Sequence, residues 1–199
     1  NTAERGKDWL AAAQQIDRSD EKRPPGSLIP LGYETGPSKV ELDFPGYAYK
    51  IEPSPVSGAL RISYDPQKPQ VWKIPFFPTV VEKNPIKLPA GYVVPPEHAA
   101  WMADKLKSHG LTFSTIPDGN QGPCAVYRVK TRTFADAPYE GRQTVRVEGE
   151  WKTESCSVAP LSLWVPTAQR AGALVAQLLE PEATDSLLHW GFFNSIFEQ

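Results

Sequence analysis

The residues of this chain whose types could carry chemistry are few: three histidines, two cysteines and two glutamates that flank a proline. A zinc site needs three or four His, Cys, Asp or Glu ligands, often with two of them close in sequence. His98 is followed three residues on by Trp101, His109 by Thr112 and His189 by Phe192, so no His-x-x-Glu or His-Glu-x-x-His pair exists. Cys124 and Cys156 are too far apart for a Cys-x-x-Cys. They are either a pair of unreactive thiols or a disulfide between neighbouring strands, the latter worth roughly 3–4 kcal/mol by loop entropy. No Gly-x-Ser-x-Gly elbow is present, and Ser57-Gly58 sits in a proline-rich stretch without a nearby histidine. There is no Gly-x-Gly-x-x-Gly and no phosphate-binding loop. Glu180 and Glu182 are better explained as carboxylates complementing the dipole of a closing helix than as an acid/base pair. The expected catalytic, cofactor and metal residues are therefore none.

The elements around these residues fall into two styles. Trp9, Leu10, Ala13 and Ile16 have helical spacing, which predicts a helix over 2–16, ended by a polar stretch and Pro24-Pro25-Gly26. From Lys39 the period becomes two. Val40, Leu42 and Phe44, then Tyr47, Tyr49 and Ile51, then Leu60, Ile62 and Tyr64 predict three short half-buried strands, with a turn at Pro45-Gly46. Val71 to Phe77, interrupted by Pro75, fits an edge strand. Further on, 91–94 predicts a strand and Pro95-Pro96 opens a helix carrying Ala99, Met102, Ala103 and Leu106, with Gly110 just past its end. Strands are expected over 111–116, 125–133, 143–150 and 161–165. Thr167 is the candidate N-cap of a helix with the stripe Ala171, Leu174, Val175, Leu178 and Leu179, and Thr184 caps a terminal aromatic helix or turn. Irregularly interspersed elements predict an α+β fold with mostly antiparallel sheets, a β-rich first half and two or three packed helices in the second.

Length and composition bound the rest. The chain has 199 residues, 40% of them hydrophobic and 11% aromatic, which is enough for a core. The organisation expected is an N-terminal helix and linker over 1–23 and one α+β domain over 24–199, with a β-rich subdomain over 24–88. A formal net charge of −2 gives no electrostatic case for a nucleic-acid partner. No apolar run approaches the roughly 20 residues that span a bilayer, so no transmembrane segment is expected. A chain beginning at Asn1, without initiator methionine or signal peptide, is expected to be a fragment or a processed product. The closing stretch packs Leu187, Leu188, Trp190, Phe192, Phe193, Ile196 and Phe197 almost at the end, so it is expected to fold back as a lid on its own core.

Several motifs, in order, resemble the non-catalytic C-terminal region of large bacterial zinc carboxypeptidases of the M14 family. They are Leu88-Pro89-Ala90-Gly91-Tyr92-Val93-Val94-Pro95, the helix ending Leu106-Lys107-Ser108-His109-Gly110-Leu111, Pro138-Tyr139-Glu140-Gly141, and Trp164-Val165-Pro166 leading to Gln169. The closing Leu178-Leu179-Glu180-Pro181-Glu182-Ala183-Thr184-Asp185-Ser186, with Trp190-Gly191-Phe192-Phe193, and the earlier Val56-Ser57-Gly58-Ala59 and Tyr64-Asp65 extend the likeness over 40–197. The family's zinc ligands are a His-x-x-Glu pair and a distant His, with a catalytic Glu further on. None of these motifs occurs here. The resemblance implies a catalytic domain upstream of Asn1 in the same polypeptide, zinc bound only there, the first helix as the junction, and a periplasmic or extracellular location.

Two function classes follow as expectations. One is an accessory domain that packs on such a catalytic domain, stabilising it or shaping access of peptide substrate. The other is an independent peptide- or glycan-binding module that presents Trp72, Phe76, Phe77, Trp101 and Trp151 to solvent. The candidate interaction residues are Tyr139 and Glu140, in the turn Ala137 to Gly141, together with Trp72, Trp101 and Trp151.

Overall fold

The computed structural model describes residues 2–197. The fold is α+β, with small antiparallel sheets, a β-rich first half and the packed helices in the second. In chain order the elements are α1 (Thr2–Glu21), β1 (Leu28–Thr35), β2 (Val40–Pro53), β3 (Leu60–Phe76), β4 (Val80–Lys87), β5 (Gly91–Val94), α2 (Pro96–Ser108), β6 (Ser114–Ile116), β7 (Asn120–Phe134), β8 (Val145–Val158), β9 (Ser162–Pro166), α3 (Gly172–Leu179) and a closing 3₁₀ turn (Asn194–Phe197). β1 pairs with β4. Two compact units emerge, one formed by 1–32 and 83–199, the other by 33–82.

The first unit holds the core. β9 lies between β5 and β6, antiparallel to both. Leu163 and Val165, two residues apart and so on one face of β9, are both buried. Met102 and Leu106 of α2, Val175 and Leu178 of α3, Val94, Leu111 and Leu187 complete the main cluster. α2 begins with Pro96 in its first turn and ends in a tight cap. Gly110, at φ 69°, lets its own N–H reach the Lys107 carbonyl at 2.9 Å and the Leu111 N–H reach that of Leu106 at 2.9 Å. That cap drops Leu111 into the core beside Leu106.

α3 is capped from a distance. Thr167 does not serve as its N-cap: the Thr167 hydroxyl donates to the Pro89 carbonyl at 2.6 Å, and Ala171 occupies the cap position with φ 57°. Asp20, at the end of α1 and only 4% exposed, accepts instead from the Ala173 N–H at 3.4 Å and from Arg23 at 2.5 Å. Gly172 lets the Thr167 carbonyl come close to α3, since a Cβ there would stand 1.9 Å from its oxygen. Of the two forms expected for the terminal segment, helix or turn, it takes turns and returns onto the unit. Leu187 is buried in the core, and the segment is stitched down by Val145 N–H to His189 O at 2.9 Å and Asn194 to Gln143 O at 2.8 Å. A run broken by Gly191 and dense in aromatics packs its rings individually and has no single helical stripe to bury.

In the second unit β2 and β3 form one long antiparallel ribbon. The four strands expected here, three short ones and the edge strand from Val71, are two: β3 runs unbroken from Leu60 to Phe76, and in β2 Pro45-Gly46 stays extended, Pro45 pairing with Val71 and Gly46 with Gln70. The register shifts between Tyr47 and Ala48. Gly46 has a specific role at this point, as a Cβ would collide with the Trp72 ring at 2.3 Å. Nor are the strands half-buried. The cross-strand pairs Val40–Phe76, Leu42–Ile74, Phe44–Trp72, Tyr49–Tyr64 and Ile51–Ile62 leave most of their surface open.

Candidate functional site

The three histidines of the first unit are each accounted for separately. His109 is the C-cap residue of α2. His189 Nδ1 lies 2.9 Å from the Val145 carbonyl, which can only accept, so that nitrogen carries the proton. His98 Nδ1 accepts from the Trp101 indole at 3.4 Å and meets the edge of Phe193 at 5.0 Å. Among the described residues no group of three His, Cys, Asp or Glu is placed to hold a metal ion.

Cys124 and Cys156 form a disulfide. The ladder pairs Cys124 with Glu154 and Gly122 with Cys156, so the bridge runs diagonally across the β7–β8 ribbon, its Cα atoms 5.8 Å apart. That separation lies within the range a disulfide spans. On the same face Arg128 forks onto Glu154, while Lys130 and Lys152 flank Glu150 at 2.9 and 3.1 Å. These cations hold both carboxyls below their usual range, chiefly through hydrogen bonds from Lys130 and Lys152 to Glu150 and from Arg128 to Glu154.

Two tyrosine–glutamate pairs form the feature that sequence reasoning missed. The Tyr92 hydroxyl on β5 donates to Glu180 at 2.5 Å, and the Tyr127 hydroxyl on β7 donates to Glu182. Glu180 is the C-cap of α3 and is only 4% exposed. It therefore sits at the negative end of a helix dipole, the opposite of the placement expected from sequence. Burial pushes its carboxyl up; the Tyr92 hydrogen bond works the other way, and nearby Glu182 adds to the rise. Burial, with the adjacent carboxylates, also drives the Tyr92 and Tyr127 phenols upward, so both remain donors. The pairs fasten the segment after α3 to β5 and β7. The only hint in sequence was Glu180-Pro181-Glu182, whose partners stand 88 and 55 residues away.

The candidate interaction residues are partly brought together. Tyr139 is 62% exposed and bridges to Arg142 by two backbone hydrogen bonds of 2.9 Å. Its ring lies 6.2 Å from that of Trp190. The Arg142 guanidinium sits 3.8 Å over Phe192, which stacks on Trp101 at 5.5 Å and 8°. Tyr139 and Trp101 thus belong to one aromatic–cation surface, although Trp101 itself is half-buried in it. Glu140 contributes a left-handed turn position at φ 49°. Trp151 is exposed elsewhere in the first unit, edge-on to Tyr127 at 5.3 Å. Trp72 belongs to the second unit, where it stacks on Phe44 at 6.2 Å and meets the edge of Tyr49 at 6.1 Å. The aromatic companions of Trp72 were visible as a period-two pattern; their exposure was not.

A further apolar surface lies on α1. Trp9, Leu10 and Ile16 are 48%, 59% and 63% exposed, and Ala13 between them is open as well. The helix is tied to its unit near its C-terminal end, through Asp17 to Arg170 at 2.8 Å and through Asp20. No helix among the described residues is long and apolar enough to cross a membrane. No protein-family profile, curated protein or solved structure matches the chain.

Proposed function

We propose that this chain is a non-catalytic accessory domain of a zinc carboxypeptidase of the M14 type, packing through α1 against a catalytic domain in the same polypeptide. The observation that carries this reading is the α1 stripe of Trp9, Leu10, Ala13 and Ile16. It is amphipathic, as a packing helix must be, yet its apolar face is left open by its own unit. The ordered run of motifs over 40–197 supplies the family. Zinc and the peptidase chemistry belong to the partner domain, and the accessory domain stabilises it or shapes the approach of peptide. The disulfide supports a periplasmic or extracellular location. The test is metal analysis and C-terminal residue release by the purified chain supplied with zinc. No stoichiometric zinc and no release are expected; release abolished by a chelator would overturn the reading.

The alternative, a peptide- or glycan-binding module, is favoured by one observation: Phe76, Phe77 and Trp151 are open to solvent. Saturable quenching of tryptophan fluorescence by oligosaccharides or peptides, lost in Trp151→Ala, would establish it.

A further inference from the structure

The closing aromatic segment of the first unit meets a two-residue hairpin. Tyr139 and Arg142 exchange both backbone hydrogen bonds at 2.9 Å, and Glu140 and Gly141 between them take φ 49° and 75°. Two successive positive φ values mark a tight type I′ turn. Directly paired residues of such a hairpin project from one face. Tyr139 and Arg142 therefore leave the turn side by side, and each meets one ring of the terminal segment. Tyr139 lies 6.2 Å from Trp190, and the Arg142 guanidinium sits 3.8 Å over Phe192. Gly191, between the two rings, makes room for the hairpin, since a Cβ there would stand 2.4 Å from the Gln143 carbonyl oxygen. Lys105 of α2 reaches the same Phe192 ring at 5.2 Å.

Elsewhere Arg23, Arg61, Arg128 and Arg170 each hold a carboxylate. Among the described residues Arg142 and Lys105 hold none, and their charges rest on the face of Phe192. A ring face covers the plane of a guanidinium and leaves its N–H edges open to a planar acceptor. The carboxylate bonded at this surface, Asp185, accepts from the Trp190 indole at 3.2 Å and pairs with neither cation. We infer that this surface binds an acidic peptide segment. A carboxylate of the peptide is received by the Arg142 fork beside Lys105, and an apolar neighbour lies against Tyr139 and Trp190. Charge selects the class, because two cations on one ring without a carboxylate of their own complement an anion. The surrounding rings favour a peptide over a small inorganic anion, since a peptide carries carboxylates and apolar side chains together. The tight turn fixes Tyr139 and Arg142 before binding, so little order is lost on contact. The surface uses neither the α1 stripe nor Trp151, and its failure would leave both readings above standing.

Calorimetric titration of the whole chain at low salt with a blocked acidic peptide, acetyl-Asp-Phe-Glu-Phe-Asp-amide, reads the result. Saturable binding is expected, weakening as salt is raised. The matching neutral peptide, with Asn and Gln in place of Asp and Glu, should bind about tenfold more weakly or worse, and Arg142→Ala should weaken the acidic peptide to the same degree. Arg142→Lys keeps the charge and loses the planar fork, so its affinity should fall between. Lys105→Gln should also weaken binding, while Lys50→Ala, in the second unit, should bind as the parent does. Circular dichroism checks that each variant is folded. Absence of saturable binding overturns the inference, as does equal binding of the neutral peptide. So does undiminished binding by folded Arg142→Ala or, should that variant misfold, by Arg142→Lys and Lys105→Gln. Inorganic phosphate or phosphatidylglycerol vesicles that bind as tightly as the peptide overturn it too, because the surface would then serve a small anion or a membrane.

Discussion

Glu180 is a carboxyl placed where three circumstances oppose its charge: it is buried, it lies at the C-terminal end of α3, and Glu182 is close by. Its carboxyl is raised above the unfolded value, so its contribution to stability is complete below the ordinary carboxylate pKa and is lost as pH climbs through the raised one. Glu180→Gln keeps an oxygen for the Tyr92 hydroxyl and removes the charge. The variant should melt at a higher temperature than the parent at neutral pH, and the gap should narrow on acidification; melts between about pH 4 and pH 8 check this. A gap independent of pH would assign the effect to packing. The disulfide acts on a different scale of energy. Cys124→Ser with Cys156→Ser removes a cross-link between residues 32 apart and should cost about 3–4 kcal/mol, read by denaturant titration with and without reductant. Neither the Tyr–Glu pairs nor the diagonal register of the cysteines was legible in sequence, because each depends on residues brought together by the sheet. Trp72, by contrast, was named from sequence as a candidate interaction residue, but its ring contacts with Phe44 and Tyr49 depend on the register.

At the scale of elements, legibility follows how local the determinants are. α2 was readable almost to the residue because Pro95-Pro96, the apolar stripe and Gly110 all lie within or immediately beside it. α3 was readable in its stripe but not at its start, since its cap comes from Asp20, 153 residues earlier. Asp20→Ala should therefore cost about 1 kcal/mol through the lost cap and the unpaired Arg23, and should speed hydrogen exchange in both α1 and α3. A change confined to α1 would contradict the cross-chain cap. Leu106→Ala, by removing a fully buried side chain shared by α2 and its C-terminal cap, should cost about 2–5 kcal/mol in thermal or denaturant unfolding. β2 and β3 were misread as three short strands and a separate edge strand because proline and glycine signal turns by default. Here Gly46 is used to seat Trp72, and the chain stays extended.

For the whole molecule, the distribution of apolar surface is the central fact. One unit buries a core around β9, α2 and α3 and draws the aromatic terminus onto it. The second unit is a ribbon whose apolar side chains are mostly exposed, and α1 carries an open stripe. A chain built this way presents surfaces for assembly. The accessory reading then hinges on what the α1 stripe covers. The most direct test is to sequence the genomic reading frame ahead of the codon for Asn1. The account predicts a continuous frame encoding a His-x-x-Glu pair and a later histidine. A start codon close ahead of Asn1, with no such motifs in frame, would contradict it.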